Sequence, residues 1–166
     1  MSTADAPERA LPPIPGPPPR LLLIEAPYYA EIVGGMRRGA ERVAAAANAT
    51  LEVAQVAGAY ELPAALRMAL DAMDRPYAAF RWDGFVLLGC VVKGETDHYD
   101  HICREAMAGV MAIAAETGAA IGCGLLTVHS IQQAAARAKP DGFNKGAEAA
   151  TAALMQVALR RRWGLA

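Results

Sequence analysis

The feature that most constrains this chain is a fourfold alternation of short apolar runs with longer segments of helical periodicity. The apolar runs are RLLLIEA, TLEVAQVAG, GFVLLGCVV and AIGCGLLTV. Unbroken apolar runs are typical of strands covered on both faces, and the helical segments between them favour right-handed crossovers between parallel strands. We therefore predict an α/β protein, a three-layer α/β/α sandwich around a four-stranded parallel sheet.

The helical segments fall between these runs and after the last one. AEIVGGMRRGAERVAAAANA follows the first run, ELPAALRMALDAM follows the second, and a helix from His98 to Thr117 follows the third. SIQQAAARA and NKGAEAATAALMQVALRRR form the closing helices. In such sheets ligands bind beyond the carboxyl ends of the strands, where loops turn into helix N-termini. We therefore expect the site just after each strand, at residues 27–29, 58–61, 93–98 and 127–130.

Composition and charge exclude several classes of protein. The 166 residues suffice for one domain, and a formal charge of -1 provides no positive field for a polyanion, which predicts no nucleic-acid partner. No apolar run approaches the ~20 residues of a membrane-spanning helix, so no membrane partner is predicted. Cys90, Cys103 and Cys123 form neither a CxxC pair nor an even set, which favours a reducing cytoplasm and no thiolate zinc site.

Residues 1–19 form a proline-rich arm ahead of the domain predicted for residues 20–166. Seven of the eleven prolines lie in this arm. Proline fixes φ and has no backbone donor, so we expect the arm to be flexible or extended and to lie outside the core. A free terminus and a strap onto a neighbouring subunit are both open from the residues.

His98 and the turn before it carry the clearest chemical signal. Ile102, Ala106 and Val110 follow a spacing of three or four residues, which gives the helix face that packs on the sheet. His98 lies four residues before Ile102 and extends this face to the ligand edge. The preceding KGET offers a glycine, a hydroxyl and the N–H groups of a helix start, which suit a phosphate or an oxyanion. A capping histidine is the alternative interpretation.

Four blocks occur in order along the chain: GAYELPAAL, GCVVKGETDHYDHIC, IGCGLLTVHSIQQAAARA and NKGAEAATAAL. With their spacing, they make residues 20–159 resemble the 6,7-dimethyl-8-ribityllumazine synthase family. The resemblance implies a flavodoxin-like fold and a transferase of riboflavin biosynthesis. Its substrates would be 5-amino-6-(D-ribitylamino)uracil and 3,4-dihydroxy-2-butanone 4-phosphate, and its products 6,7-dimethyl-8-ribityllumazine, phosphate and water. Neither a metal nor a redox cofactor is implied.

The resemblance also implies roles for individual residues. His98 matches the catalytic histidine, and imidazole as a group exchanges protons near neutral pH. Arg137 matches the arginine that clamps the substrate phosphate from a neighbouring subunit, a task suited to the guanidinium fork. Contacts with the pyrimidine are implied for Tyr28, which would stack on it, and for Val91, Val92 and Lys93 beside it. Ala59, Tyr60 and Glu61 would lie along the ribityl chain and the pyrimidine edge, and Gly94, Glu95 and Thr96 around the phosphate. Substrate contacts are also implied for Cys123 and Lys145.

The chain departs from the family pattern at several positions. Lys93 replaces the usual arginine, and Ala57 replaces a common proline. Pro27 stands in place of an arginine, Cys123 in place of a phenylalanine and His129 in place of an acidic residue. Lys93 keeps the positive charge but loses the planar fork of arginine. We expect these departures to change the affinity for the pyrimidine rather than the class of reaction.

The family resemblance further implies a homopentamer with active sites between adjacent subunits, which some members build into a shell, and riboflavin synthase as a candidate partner. Two other functions are open from the residues. The same scaffold without catalysis would hold a lumazine or a flavin, although Glu61, His98 and Arg137 together favour an enzyme. A generic flavodoxin-like regulatory domain has little support, because no paired acids mark a phosphorylation site.

Overall fold

The sheet of this protein is known from a computed structural model that describes residues 10–79, 81–140 and 143–165. Its strands are β1 (Arg20–Ala26), β2 (Thr50–Gln55), β3 (Gly84–Val92) and β4 (Ile121–Val128). They form one sheet in the order β2-β1-β3-β4, and every pair of neighbours is parallel. The predicted four-stranded parallel sheet is therefore confirmed.

The helices also lie where the periodicity predicts them, within a few residues at each end. They are α1 (Ala30–Ala46), α2 (Leu62–Met73), α3 (His98–Thr117), α4 (Ile131–Ala136) and α5 (Lys145–Arg162). Short 3₁₀ turns at Pro27–Tyr29 and Ala59–Glu61 lead into α1 and α2. Across the described ranges, none of these helices is both long and apolar enough to cross a membrane.

Alternate residues of the central strands point to opposite faces of the sheet, and each face has its own core. Leu21, Leu23 and Val86 belong to the core under α1 and α5. Leu22 and Phe85 belong to the core under α2 and α3. Because a strand repeats every two residues, an unbroken apolar sequence supplies both cores at once. The three-layer arrangement follows directly from this alternation.

The layer of α1 and α5 approaches the sheet very closely. A Cβ atom added to Gly122 of β4 would lie 1.8 Å from the carbonyl oxygen of Ala149 in α5. A Cβ added to Gly146 of α5 would lie 1.9 Å from the carbonyl oxygen of Met36 in α1. Glycine at both positions therefore permits backbone to pack directly on backbone, which larger residues would prevent.

Strand β2 differs from the expectation that all four strands are covered on both faces. Leu51 is half-buried and the other residues of the strand are exposed. The reason is its position at the edge of the sheet, beyond β1. Its last residue, Gln55, is fixed by a hydrogen bond of 2.8 Å from Nε2 to Oε1 of the buried Glu25. Arg37 of α1 donates to the same carboxylate oxygen at 3.0 Å.

Asn144 fixes the beginning of α5 and is fully buried. Its Oδ1 accepts hydrogen bonds from the N–H groups of Gly146 and Ala147, both at 3.0 Å. Its amide nitrogen donates to the carbonyl groups of Gly35, Ala138 and Lys139 at 3.1, 3.1 and 2.8 Å. One side chain thus caps α5 and joins it to α1 and to the segment after α4.

The described part of the proline-rich arm lies on its own chain. Leu11 and Ile14 pack against the core under α1 and α5, although the arm was expected to lie outside the core. Arg161 of α5 donates to the carbonyl groups of Pro15 and Pro17, at 2.8 and 2.6 Å. Residues 1–9, the remainder of the arm, lie outside the described residues.

Candidate active site

A cavity of about 770 Å³ opens at the carboxyl ends of β1 and β3, between the loop that precedes α2 and the first turn of α3. This is the edge at which a parallel sheet binds ligands, and the volume is that of a small-molecule site. The cavity is lined by Tyr28, Tyr29, Ala57, Gly58, Ala59, Tyr60, Glu61, Cys90, Val91, Val92, His98, His101 and Ile102. Seven of the predicted site residues therefore share one cavity: Tyr28, Ala59, Tyr60, Glu61, Val91, Val92 and His98.

Two tyrosines of the cavity are unusually exposed for their size. The exposed fraction is 77% for Tyr28 and 56% for Tyr60. The ring of Tyr28 is braced edge-on by Tyr29, with ring centroids 5.1 Å apart and planes at 70°. Aromatic faces left open in this way are suited to stacking on a flat ligand ring or to meeting another subunit.

Glu61 provides a carboxylate at the same cavity. Its backbone N–H donates to the carbonyl group of Gly58 at 3.2 Å, which closes the 3₁₀ turn before α2. Its Oε2 would lie 3.2 Å from a Cβ atom at position 58, so glycine there leaves room for the carboxylate. The side chain is exposed, and an ionised carboxylate can accept hydrogen bonds from the N–H or O–H groups of a ligand.

His98 is the first residue of α3, and its exposed side chain lines the cavity. Ile102, one turn further, lines it as well, so the sheet-facing side of α3 does continue to this edge. His101 lies at the rim, where its Nδ1 is 3.0 Å from Nη2 of Arg104. Burial raises the pKa of the Cys90 thiol to about 11, so this cysteine stays protonated at neutral pH and serves as an apolar wall.

The loop between β3 and α3 is exposed from Lys93 to Asp97 and lies beside the cavity lining. A Cβ atom at Gly94 would meet no other atom within 4 Å, so the backbone there is open to a ligand. Ser130 caps α4 and Asn144 caps α5, whereas the side chain of Asp97 caps none of the described N–H groups of α3. The start of α3 therefore keeps N–H donors for an anion, with Gly94, Glu95 and Thr96 around it.

Three predicted site residues lie elsewhere in the chain. Cys123 and Lys145 line a separate small cavity of about 160 Å³ between β4 and the start of α5. Lys145 forms an ion pair with Glu148, with Nζ 2.6 Å from Oε2. Arg137 follows α4, and its Nη1 donates to the carbonyl group of Gln133 at 2.9 Å. The lining of the larger cavity, as far as the chain is described, includes none of the three.

Sequence reasoning did not single out Tyr99, a half-buried residue in the first turn of α3. Burial raises the pKa of Tyr99, so the hydroxyl stays protonated. The ring lies 5.8 Å from Nζ of Lys93 and meets the ring of His129 edge-on, with centroids 6.2 Å apart. The only signal in the sequence was that Lys93 and His129 both depart from the family pattern.

The cavity also includes residues that received no role from the sequence. Tyr29 and Gly58 fell within the windows after the strands, whereas Cys90 was given no part in the site and Ile102 was assigned to packing on the sheet. Both of the latter could have been found, because Cys90 directly precedes Val91 and Ile102 lies one helical turn after His98. Among the residues that the structure describes, there is no group of three or more histidine, cysteine or acidic residues that could hold a metal ion.

A parallel sheet with an aromatic, acid- and histidine-lined cavity at its carboxyl edge defines this chain as an α/β protein that binds a small molecule. Residues 18–161 match the family model for 6,7-dimethyl-8-ribityllumazine synthase. The chain belongs to that family, as the four sequence blocks predicted.

Relatives with this name agree over nearly the whole chain. A 6,7-dimethyl-8-ribityllumazine synthase of Paramagnetospirillum magneticum is 40% identical over 146 residues, which cover 88% of this chain and 97% of the relative. A 6,7-dimethyl-8-ribityllumazine synthase 1 of Rhizobium meliloti is 42% identical over 147 residues, 89% of this chain and 95% of the relative. The protein of this name from Agrobacterium fabrum is 40% identical over 146 residues, 88% of this chain and 97% of the relative.

Proposed function

We propose that this protein condenses 5-amino-6-(D-ribitylamino)uracil with 3,4-dihydroxy-2-butanone 4-phosphate to give 6,7-dimethyl-8-ribityllumazine, the penultimate step of riboflavin biosynthesis. The observation that carries the proposal is that one cavity, in a chain of this family, gathers Tyr28, Glu61 and His98. This set combines an aromatic face, a hydrogen-bond acceptor and a proton carrier, which the reaction requires.

The reaction releases one phosphate and two molecules of water. The amine of the uracil attacks the ketone and forms an imine with loss of the first water. Phosphate then leaves by elimination, and closure of the second ring releases the second water. His98 takes a proton from the condensing amine and returns a proton to the departing hydroxyl, a role for which its place on the cavity wall suits it.

The uracil would bind in the cavity itself. Its flat ring would stack on Tyr28, with Val91 and Val92 of β3 as an apolar wall and Glu61 accepting hydrogen bonds from its polar edge. The ribityl chain would run past Ala59 and Tyr60. This arrangement leaves the carbonyl carbon of the second substrate near His98, between the pyrimidine and the phosphate loop.

The phosphate would bind at the start of α3, where Gly94, Glu95 and Thr96 surround free N–H donors, and Arg137 of a neighbouring copy would complete the clamp. Cys123 and Lys145 of that neighbouring copy would face the same site. The support for a second copy is that these three residues lie away from the cavity in their own chain. We therefore propose a homopentamer with a site at each subunit boundary.

We propose that the reaction takes place in the cytoplasm. The unpaired cysteines favour the cytoplasm, and all three are free in the structure. Riboflavin synthase stays a candidate partner that only a binding experiment can test. No metal and no redox cofactor takes part in the steps proposed for His98 and the phosphate clamp.

The test mixes the purified protein with both substrates and follows lumazine by its absorbance and fluorescence against the uncatalysed background. Wild-type protein should accelerate lumazine formation. Arg137→Ala should raise KM for the butanone phosphate at least about tenfold, because the guanidinium contributes a charged hydrogen bond to the phosphate. Arg42→Ala is the matched control, since Arg42 also donates to a carbonyl group four residues earlier, that of Arg38, yet lies on α1.

Three outcomes separate the hypotheses. Acceleration that weakens in the Arg137 variant and not in the Arg42 variant supports both the enzyme and its clamp. An equal KM in both variants would contradict the role of Arg137. Tight binding of lumazine or riboflavin without acceleration would contradict the enzyme and support the non-catalytic binding protein.

A further inference from the structure

Tyr99 lies in the first turn of α3, immediately after His98, but it faces a different part of the molecule. Successive residues of a helix are about 100° apart, so neighbours point in different directions. His98 faces the cavity with Ile102, whereas the ring of Tyr99 meets Lys93, which follows β3, and His129, which follows β4. The ring of Tyr99 therefore fills the junction between α3 and β4.

Lys93 is held at this junction from two sides. Its backbone N–H donates to the carbonyl group of Val128 at 2.9 Å, which continues the pairing of β3 with β4. Its ammonium lies 5.8 Å from the centroid of the Tyr99 ring, within the range of a cation–π interaction. Lysine has no planar fork to orient itself on an anion, so the direction of its flexible side chain depends on such a support.

The same ring contacts the turn between β4 and α4. His129 meets it edge-on, with centroids 6.2 Å apart and planes at 84°. The backbone N–H of His129 donates to Oε1 of Gln133 at 2.9 Å, and Nη1 of Arg137 donates to the carbonyl group of Gln133 at 2.9 Å. A short chain of contacts thus runs from Tyr99 through His129 and Gln133 to Arg137.

We propose that Tyr99 is a positioning residue that holds Lys93 and the turn leading to Arg137 in a fixed relative place. This proposal rests on the proposed function, in which Gly94, Glu95 and Thr96 and the side chain of Arg137 bind phosphate groups in adjacent sites. It reassigns Lys93 from the pyrimidine edge, which the family resemblance implies, to the phosphate loop, because its ammonium lies over Tyr99 and Lys93 is not among the residues that line the cavity. Tyr99 itself touches no substrate. It acts through the direction of the Lys93 ammonium and through the position of α4.

The consequence is selective for one substrate. Tyr28, Glu61 and His98, which serve the pyrimidine and the proton transfer, lie on the cavity side of α3. Loss of the Tyr99 ring should therefore raise KM for the butanone phosphate and leave KM for the ribitylaminouracil unchanged. A merely structural role in supporting α3 would instead change both KM values and kcat together.

The experiment measures both KM values and kcat for Tyr99→Leu, Tyr99→Phe and the control Tyr77→Leu. Tyr77 makes a good control because its side chain is fully exposed in the loop after α2. Tyr99→Leu should raise KM for the butanone phosphate about threefold to tenfold. This range is expected because an exposed cation–π contact is lost and the Lys93 ammonium is no longer held in one direction. Tyr99→Phe, which keeps the ring, should stay within about twofold of wild type.

A double-mutant cycle with Lys93→Met tests whether Tyr99 changes KM for the butanone phosphate through Lys93. If Tyr99 acts through Lys93, then Tyr99→Leu should add less than about twofold once Lys93→Met is present. If Tyr99→Leu does not fold, the exposed Lys93→Met serves by itself and should raise the same KM, because only the exposed lysine changes.

The outcomes separate this proposal from the proposed function. Wild-type protein that makes no lumazine would contradict the function. Active protein in which Tyr99→Leu or Lys93→Met leaves KM for the butanone phosphate unchanged, or changes both KM values equally, would overturn the positioning role alone. An effect of Tyr99→Leu that persists in full beside Lys93→Met would also overturn it.

Discussion

The two faces of the sheet are built differently by the same chain. On one face, α5 has eight buried residues among eighteen, and glycines allow its backbone to pack on β4 and α1. On the other face, the longer α3 has only two buried residues among twenty, Ala106 and Val110. The α1/α5 face is thus a completed core. The α2/α3 face leaves Cys123 and Thr127 of β4 exposed, and Tyr28 and Tyr60 are exposed at the cavity.

This difference separates the residues that hold the fold from those that we propose carry the chemistry. Gly122, Gly146 and Asn144 belong to the completed face, and each of them packs on or bonds to a neighbouring element of its own chain. The cavity belongs to the incomplete face, and the residues proposed to complete it lie on another surface. We therefore expect substitutions on the first face to change stability, and substitutions on the second to change turnover or assembly.

The largest effect is expected at Gly122. Gly122→Ala should lower the free energy of unfolding by more than about 3 kcal/mol, because the added Cβ has no room beside the Ala149 carbonyl. Gly94→Ala on the open face should change it by less than about 0.5 kcal/mol, because nothing lies within 4 Å of its added Cβ. Denaturant unfolding compares the two, and equal stabilities would contradict the contrast between the faces.

Asn144 should be the next most sensitive position. Asn144→Asp keeps the acceptor that caps α5 but removes the amide donor to three carbonyl groups, and it should cost about 2 to 3 kcal/mol. Ser130→Ala, which removes the cap of the short α4, should cost only about 1 kcal/mol. Thermal and denaturant unfolding would measure both. A Ser130 variant less stable than the Asn144 variant would reverse the expected order.

On the open face, His98→Ala should change turnover and leave stability nearly unchanged. We expect kcat to fall about a hundredfold, as for the loss of a general acid–base group, with a melting temperature close to that of wild type because the side chain is exposed. His101→Ala removes the other histidine of the cavity lining, to which no proton transfer is assigned, and it should lower kcat much less than His98→Ala does. Unchanged turnover in His98→Ala would remove this residue from the proton transfer.

The sequence predicted much of the fold because the fold depends on local patterns. The limits of β1, β3 and α3 agree with the residue patterns, since apolar runs and helical spacing are read directly from neighbouring residues. The burial of β2 was predicted wrongly because its place at the sheet edge is set by topology. The link that Asn144 makes between α5 and α1 was missed because its partner Gly35 lies 109 residues away in the chain.

The site was predicted only in part for a related reason. His98, Tyr28 and Glu61 each follow a strand, and parallel strands bring their carboxyl ends to one edge. Arg137, Cys123 and Lys145 received their roles from the family resemblance alone, and one chain does not gather them with the cavity. The role of Tyr99 depends on ring contacts between segments, which no residue pattern records.

The most direct test of this account mixes two impaired variants and assays them at a butanone phosphate concentration well below the wild-type KM, where both variants have little activity. His98→Ala and Arg137→Ala each damage a different half of the proposed site, and the two proteins would be unfolded together, refolded as mixed assemblies and assayed for lumazine formation. If each site takes His98 from one subunit and Arg137 from its neighbour, random mixing should restore about a quarter of wild-type activity. Activity no higher than the mean of the two separate variants would contradict a site completed by a second copy.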